Sequence, residues 1–207
     1  MRNIIKRVAS RLPLISLLGG VKCIGCSKLS LARCLHVRGK NNTIEIRSRI
    51  PKGVKIFIYG NHNRLVIDEN VTIKKGVIWF EDNGCTIKIG KGTTIENAQL
   101  AVAEDGSNLH IGSDCMLSSN IRIITTDSHS IVDLSTGLRT NKAADVIIED
   151  HVWIAYNVSV NKGCHIGKNA VIAGNSVVTK DVPCNSIVAG IPAKIVKTNI
   201  TWDSKRL

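Results

Sequence analysis

The stretch "NKGCHIGKNAVIAGNSVVTKDVPCNSIVAGIPAK", residues 161–194, decides the fold. Val160, Ile166, Ile172 and Val178 stand six residues apart, and Ile154 extends the series upstream. A helix repeats every 3.6 residues and a strand every two, so neither explains a branched apolar residue at each sixth position. Three short strands joined by tight turns do explain it. Eighteen residues then make one triangular coil, a period marked by Ile148, Ile166 and Cys184. Coils stack through backbone hydrogen bonds and rise by the strand spacing of about 4.8 Å. The sixth-position residue points inward and stacks on its equivalents above and below. Asn157, Gly163, Asn169 and Asn175 fall between members of the series and suit turns with unusual backbone angles. The spacing predicts a parallel β-helix with three faces, a one-dimensional solenoid.

Upstream the same prism continues with longer coils. Ile46, Ile67, Ile89 and Ile111 close "NNTIEI", "NHNRLVI", "NGCTIKI" and "GSNLHI" at spacings of 21, 22 and 22. From Ile111 to Ile148 is 37 residues, one regular coil and 19 more. Ile111, Leu117 and Ile123 keep the sixfold register, and the next corner falls at His129. The polar segment "SIVDLSTGLRTNKAAD", residues 130–145, then leaves the prism. A long loop thrown out of a rigid scaffold is often functional. Here it starts beside a histidine.

Composition agrees with stacked layers. Apolar residues are 43% of the 207 but aromatics only 3%, so the core is built from Val, Ile, Leu and Ala. The net charge of +12 invites anionic partners. No nucleic-acid-binding motif is present and few aromatics are available to stack bases. Phosphorylated cofactors, acidic polysaccharides and anionic lipid heads remain. Seven scattered cysteines make no disulfide framework and fit a reducing, cytoplasmic home. Cys23 and Cys26 form a CxxC with no second pair at zinc-finger spacing, and read as small core residues rather than a metal or redox site. Residues 1–18 are basic and apolar, interrupted by Pro13. They lack the form of a cleavable signal peptide and are too short to span a bilayer. A capping helix is the plainer reading, and weak attachment to an anionic membrane face the sharper one.

The segment "VIIEDHVWIAYNVSVNKGCHIGKNAVIAGNSVVTKDVPCNSIVAGIPAKIVK", residues 146–197, resembles the hexapeptide-repeat acyltransferases. Within them it is similar to the acetyl-CoA-dependent acetyltransferases of sugars and polysaccharides. The resemblance implies an all-β, left-handed parallel β-helix. With the readings above, the expected divisions are a short N-terminal helical segment (1–20), the β-helix over residues 21–197 with an extruded loop (129–147), and a C-terminal tail (198–207). The resemblance also implies a homotrimer, acetyl-CoA in the groove between neighbouring prisms, no metal, and a loop histidine closing the site from the next subunit. Two departures stand out. Ala155 follows "WI" where the family often has Gly, and Ile191 precedes "PAK" where it often has Asn. Neither removes a charge or a base.

A sugar hydroxyl needs a base to take its proton as it attacks a thioester, and neutral imidazole suits that role. Of six histidines, His110 and His165 precede corner isoleucines and face solvent by alternation, and His151 lies in the turn before "VWI". His129, in "TTDSHS", lies where the loop departs, and the resemblance makes it the general base, 24 residues before Trp153. Asp127 is a candidate to orient its imidazole. The resemblance places Trp153 beside the histidine, against the acceptor or the acetyl end. It gives Ala155, Tyr156, Gly174, Thr179, Lys180, Lys194 and Lys197 to the cofactor, with N–H groups near Ala155 and Tyr156 binding the pantetheine or a developing oxyanion. Asn97 and Asp105 align with acceptor-contacting positions.

The expected activity is transfer of acetyl from acetyl-CoA to a hydroxyl of a bacterial surface polysaccharide or its precursor, without an acyl-enzyme. A small acceptor (a free sugar, an amino sugar nucleotide or an antibiotic) is the alternative. From other classes, a non-catalytic scaffold or a metal-dependent hydratase using several of His110, His129, His151 and His165 stays open. The "VVTKDVP…PAK" tail argues against the hydratase.

Overall fold

The computed structural model describes residues 20–26, 31–50 and 53–206. The helix and membrane-facing segment expected within residues 1–20 lie outside the described residues, apart from Gly20. What is described is a prism of parallel strands.

One face is a seven-stranded parallel sheet. Its strands are Val21–Ile24, Asn42–Ile46, Arg64–Ile67, Thr86–Ile89, Asn108–Ile111, Val146–Ile148 and His165–Ile166. Ile46, Ile67, Ile89, Ile111, Ile148 and Ile166 pair each directly with the next, a column of six isoleucines down the core. Each is at most 1% exposed. The column is the 21- and 22-residue period followed by the 18-residue one. An inward branched side chain fills a layer only 4.8 Å thick without reaching into the next.

The other two faces share one sheet, because Thr72–Glu81 and Thr94–Val102 are long enough to turn the corner between them. Thr94 pairs with Met116 on the second face, and Ala98 with Ile121 on the third. The second face continues through Trp153–Ile154, Val171–Ile172 and Ser186–Gly190. The third runs from Leu35–Arg38 and Val54–Tyr59 to Ile121–Ile124, Ser159–Val160 and Val177–Val178. Ile154, Val160, Ile166, Ile172 and Val178 are all buried, as the sixfold spacing requires. The turns follow too: Asn157, Asn169 and Asn175 have φ of 59°, 61° and 59°, and Gly163 has 76°. Asn tolerates this region because its short polar side chain bonds locally. Here the Asn157 amide donates to Asn175 Oδ1 at 2.9 Å, tying successive turns together.

The register breaks at one expected corner. Cys184 is exposed, and Val182 takes the inward place instead, bridged to Ile166. The Val182 N–H donates to the His165 carbonyl at 2.9 Å. Pro183, with no N–H, cannot carry the ladder onward. Ala193–Thr198 then runs back antiparallel on Ser186–Gly190 and closes the stack. The tail folds onto the second face. Trp202 Nε1 donates to the His151 carbonyl at 2.7 Å, and its ring stacks on the His151 imidazole at 4.2 Å.

Candidate functional site

The third face delivers the chain to the loop. After Ile121–Ile124, Thr125 and Thr126 remain buried, and Thr126 Oγ1 donates to Glu104 Oε1 at 2.8 Å. The next three residues reverse direction. His129 N–H donates to the Asp127 carbonyl at 2.8 Å across Ser128, whose φ is +66°. A three-residue turn with positive φ is rare and strained, and persists only where its surroundings over-determine it. Ser128 N–H donates to Thr126 Oγ1 at 3.0 Å on one side. Asn141 closes the other, donating from Nδ2 to the His129 carbonyl at 2.8 Å. The His129 side chain is exposed at this turn and hydrogen-bonds to no described residue.

Asp127 does not orient that imidazole. Its carboxylate accepts from Lys162 Nζ at 2.6 Å and from Asn141 Nδ2 at 2.9 Å. The hydrogen bond from Lys162, with that from Asn141, holds it below the usual carboxylate range. Lys162, in the following coil, also donates to the carbonyls of Asn141 and Lys142 at 2.7 and 2.9 Å. These partners tie the carboxylate to the following coil through Lys162 and to the loop through Asn141.

The loop itself is braced. Arg139 donates to both Glu104 oxygens, at 2.8 and 2.6 Å, and these hydrogen bonds depress the Glu104 carboxyl to about 2. Further out, the Asp133 carboxylate accepts from the backbone N–H groups of Ser135 and Thr136. The tip presents Ile131, Val132, Leu134 and Leu138 to solvent, with Leu134 fully exposed. Glu104, Arg139, Asn141 and Lys162 all shape the surroundings of His129, and residue spacing pointed to none of them.

The candidates named from sequence divide between two corners of the prism. His129 and Asp127 lie at the corner where the third face meets the first, and Thr179 and Lys180 follow the last third-face strand at that corner. Asp105 belongs to the same corner. It is tied into a ladder in which Asn61 donates to Asn83, and Asn83 donates to Asp105 Oδ1 at 2.8 and 3.1 Å. That makes it a turn residue with its own partners. Asn97, Ala155, Tyr156 and Gly174 sit at the other corner, between the second and third faces. There the Ala155 N–H is given to the Ile172 carbonyl at 3.0 Å, whereas the Tyr156 N–H has no backbone acceptor among the described residues. The hairpin carrying Ile191 and Lys194 closes over this corner, with Gly190 N–H on Ser176 Oγ at 3.1 Å. Lys197 lies further along the same strand. Trp153 faces out from the second face, half-buried, 6.0 Å from the Trp202 ring. His129 and Trp153 therefore do not share a wall in one chain.

Among the described residues no group of three His, Cys, Asp or Glu is placed to hold a metal ion. His110 is half-buried, with a pKa lowered by burial. His151 is held by Asn169 and Trp202, and His165 by Glu149 at 2.7 Å. Cys23 and Cys26 pack against the core, and burial together with Cys23 pushes the Cys26 thiol up to about 11. Two surface cavities of about 350 Å³ lie elsewhere, one at Gly20–Lys22 and Asn41–Thr43, the other around Glu149, His165 and Cys184.

Comparison with known proteins agrees with this architecture. The family described as bacterial transferase hexapeptide (six repeats) matches residues 145–180. A polysialic acid O-acetyltransferase of Neisseria meningitidis is 37% identical over 184 residues, 88% of this chain and 85% of that protein. One from Escherichia coli O1:K1 / APEC is 38% identical over 136 residues, 66% of this chain, which spans only 43% of that longer relative. The crystal structure of the polysialic acid O-acetyltransferase OatWY superposes with a TM-score of 0.71 at 36% identity, covering 84% of this chain and 78% of that one. The prism is accordingly a left-handed β-helix. The chain belongs to the hexapeptide-repeat acetyltransferases, in their O-acetyltransferase branch.

Proposed function

We propose that the protein transfers the acetyl group of acetyl-CoA to a hydroxyl of an acidic bacterial surface polysaccharide, with polysialic acid as the acceptor. The observation that carries this reading is His129: an exposed imidazole that hydrogen-bonds to no described residue, on a strained turn at the foot of a braced loop. His129 takes the proton of the acceptor hydroxyl as its oxygen attacks the thioester carbonyl. The C–S bond breaks as the tetrahedral intermediate collapses, and the leaving sulfur of CoA carries the proton away. No acyl-enzyme forms. The Tyr156 N–H is a donor for the carbonyl oxygen as it gains charge. The net charge of +12 suits a polymer of carboxylates.

The positions of the two corners support a ring of three copies as the working assembly. His129, Thr179 and Lys180 flank the third face on one side; Ala155, Tyr156 and Gly174 flank it on the other. A ring of three copies brings the first corner of one prism to the second corner of the next and completes the site with the neighbour's Trp153. The apolar loop tip then has a neighbour to cover it. The third face supports the same arrangement. On its outer side Phe57 packs on His36 and Trp79 at 4.9 and 5.1 Å, and Tyr59 meets Trp79 at 5.0 Å. In a chain with seven Phe, Tyr and Trp residues, three on one outer patch mark a face to be turned toward the ring axis.

The test is thiol release from acetyl-CoA in the presence of oligosialic acid, with product acetylation read by NMR. His129→Ala is expected to lose about 10²–10⁴-fold in turnover while still binding acetyl-CoA. Near-normal turnover in that variant sinks the base assignment. Acetyl-CoA binding without transfer to any sialic acid polymer sinks the acceptor.

A further inference from the structure

Asn141 fastens the extruded loop to the turn that carries His129. It is buried, although the loop around it is exposed. Its Nδ2 donates to Asp127 Oδ2 at 2.9 Å and to the His129 carbonyl at 2.8 Å. Its Oδ1 accepts from Ile131 N–H at 2.7 Å and from Arg139 Nε at 3.2 Å. A carboxamide has two N–H donors and one oxygen with two lone pairs, so every position is used. Three of the four partners are residues 127, 129 and 131, before, at and after the histidine. One side chain thus holds the strained turn at Ser128 from both sides.

Asn141 is itself held from behind. Lys162 Nζ and Arg139 Nη2 donate to its carbonyl at 2.7 and 3.2 Å. Arg139 is anchored on Glu104, one coil back along the prism. The chain of contacts runs from the rigid prism, through Glu104 and Arg139, to Asn141, and from there to the backbone of His129. Surface loops seldom use a fully satisfied, buried amide. A buried polar group with all its bonds made specifies one geometry, because any shift leaves a donor or acceptor without a partner.

We infer that Asn141 is a positioning residue for acetyl transfer: its carboxamide sets the turn from Asp127 to Ile131 and so the direction of the His129 imidazole. The inference rests on the reading of His129 as the base. It adds that the base is aimed through its backbone by a residue 12 positions later, with the Asp127 carboxylate as part of the mount.

Asn141→Asp tests it. The side chain keeps its size and both acceptor contacts. Its donors become an oxygen facing the Asp127 carboxylate and the His129 carbonyl. Since a misplacement of about 1 Å costs about 100-fold, kcat is expected to fall about 10–100-fold. The calorimetric affinity for acetyl-CoA stays within about threefold, as for an interaction needed only in the transition state. Asn141→Ser, which adds no charge, makes the same test where the aspartate variant does not fold. The double variant Asp127→Asn with Asn141→Asp separates aim from loop stability. It rebuilds the bond between positions 127 and 141 but not the bond to the His129 carbonyl. Melting temperature is expected to recover and kcat is not. Wild-type kcat in a folded Asn141→Asp, or recovery of kcat together with melting temperature in the double variant, overturns the inference. An inactive His129→Ala beside a fully active Asn141→Asp sinks this inference alone. An active His129→Ala sinks the base reading and this one with it.

Discussion

Glu104 and Arg139 stand 35 residues apart and meet through two hydrogen bonds, 2.8 and 2.6 Å long. One ends the coil before the loop, the other returns the loop to the prism. The same carboxylate accepts from Thr126 Oγ1 and from Ala143 N–H, so it binds both feet of the loop.

That contact has a pH signature. Glu104 is depressed to about 2 in the folded protein. A carboxylate lowered on folding contributes stability that is present above its unfolded value, about 4.3, and lost as pH falls through the folded one. The melting-temperature gap between wild type and Glu104→Gln is therefore expected to be constant above about pH 5 and to close between about pH 4 and pH 2. A gap independent of pH across that window would mean the ion pair contributes nothing to stability.

Mixed assemblies test the shared site. His129→Ala and Trp153→Ala are each expected to be inactive alone, because in the proposed assembly each removes one half of the same groove. Co-expressed and purified together, they are expected to regain a fraction of wild-type turnover, since some grooves then pair an intact His129 with a neighbour's intact Trp153. Absence of any recovery in proven mixed assemblies places both residues in one chain's site.

Cofactor binding is expected to be salt-sensitive. Lys180 and Lys194 are exposed, and each contact with a CoA phosphate is worth about 1 kcal/mol, or about fivefold in affinity. Calorimetry on the double variant Lys180→Ala/Lys194→Ala should show acetyl-CoA affinity down about 10–30-fold at low salt and a flatter salt dependence. Unchanged affinity moves the cofactor elsewhere.

Two glycines separate steric from conformational cost. A Cβ on Gly60 would lie 1.8 Å from the Asp82 carbonyl oxygen in the next coil. A Cβ on Gly106 meets nothing within 4 Å, although φ is +79°. Gly106→Ala should cost about 1–2 kcal/mol, a few degrees in melting temperature. Gly60→Ala must push two coils apart and is expected to yield little folded protein. Similar melting curves for the two would refute the close stacking at Gly60.

The prism was legible in the sequence because its cause is local and repeated. An inward position every sixth residue and a positive-φ turn between them recur in one linear order. The column from Ile46 to Ile166 and the turns at Asn157, Asn169 and Asn175 follow from counting alone. Counting put the next corner at His129, but the third-face strand ends at Ile124, Thr125 and Thr126 are the last buried residues before the loop, and His129 is exposed. Counting failed too at Cys184, where Pro183 ends the ladder early and Val182 takes the core position. The partners of the loop could not be counted. Glu104, Arg139, Asn141 and Lys162 follow no period, and their meeting depends on how a non-repeating segment folds back on the stack. Only the tertiary structure shows Asp127 turned to Lys162 instead of the imidazole, and His129 and Trp153 on different walls. Period and burial are properties of the chain read in order, whereas ion pairs between a loop and its scaffold depend on distances that residue order does not encode.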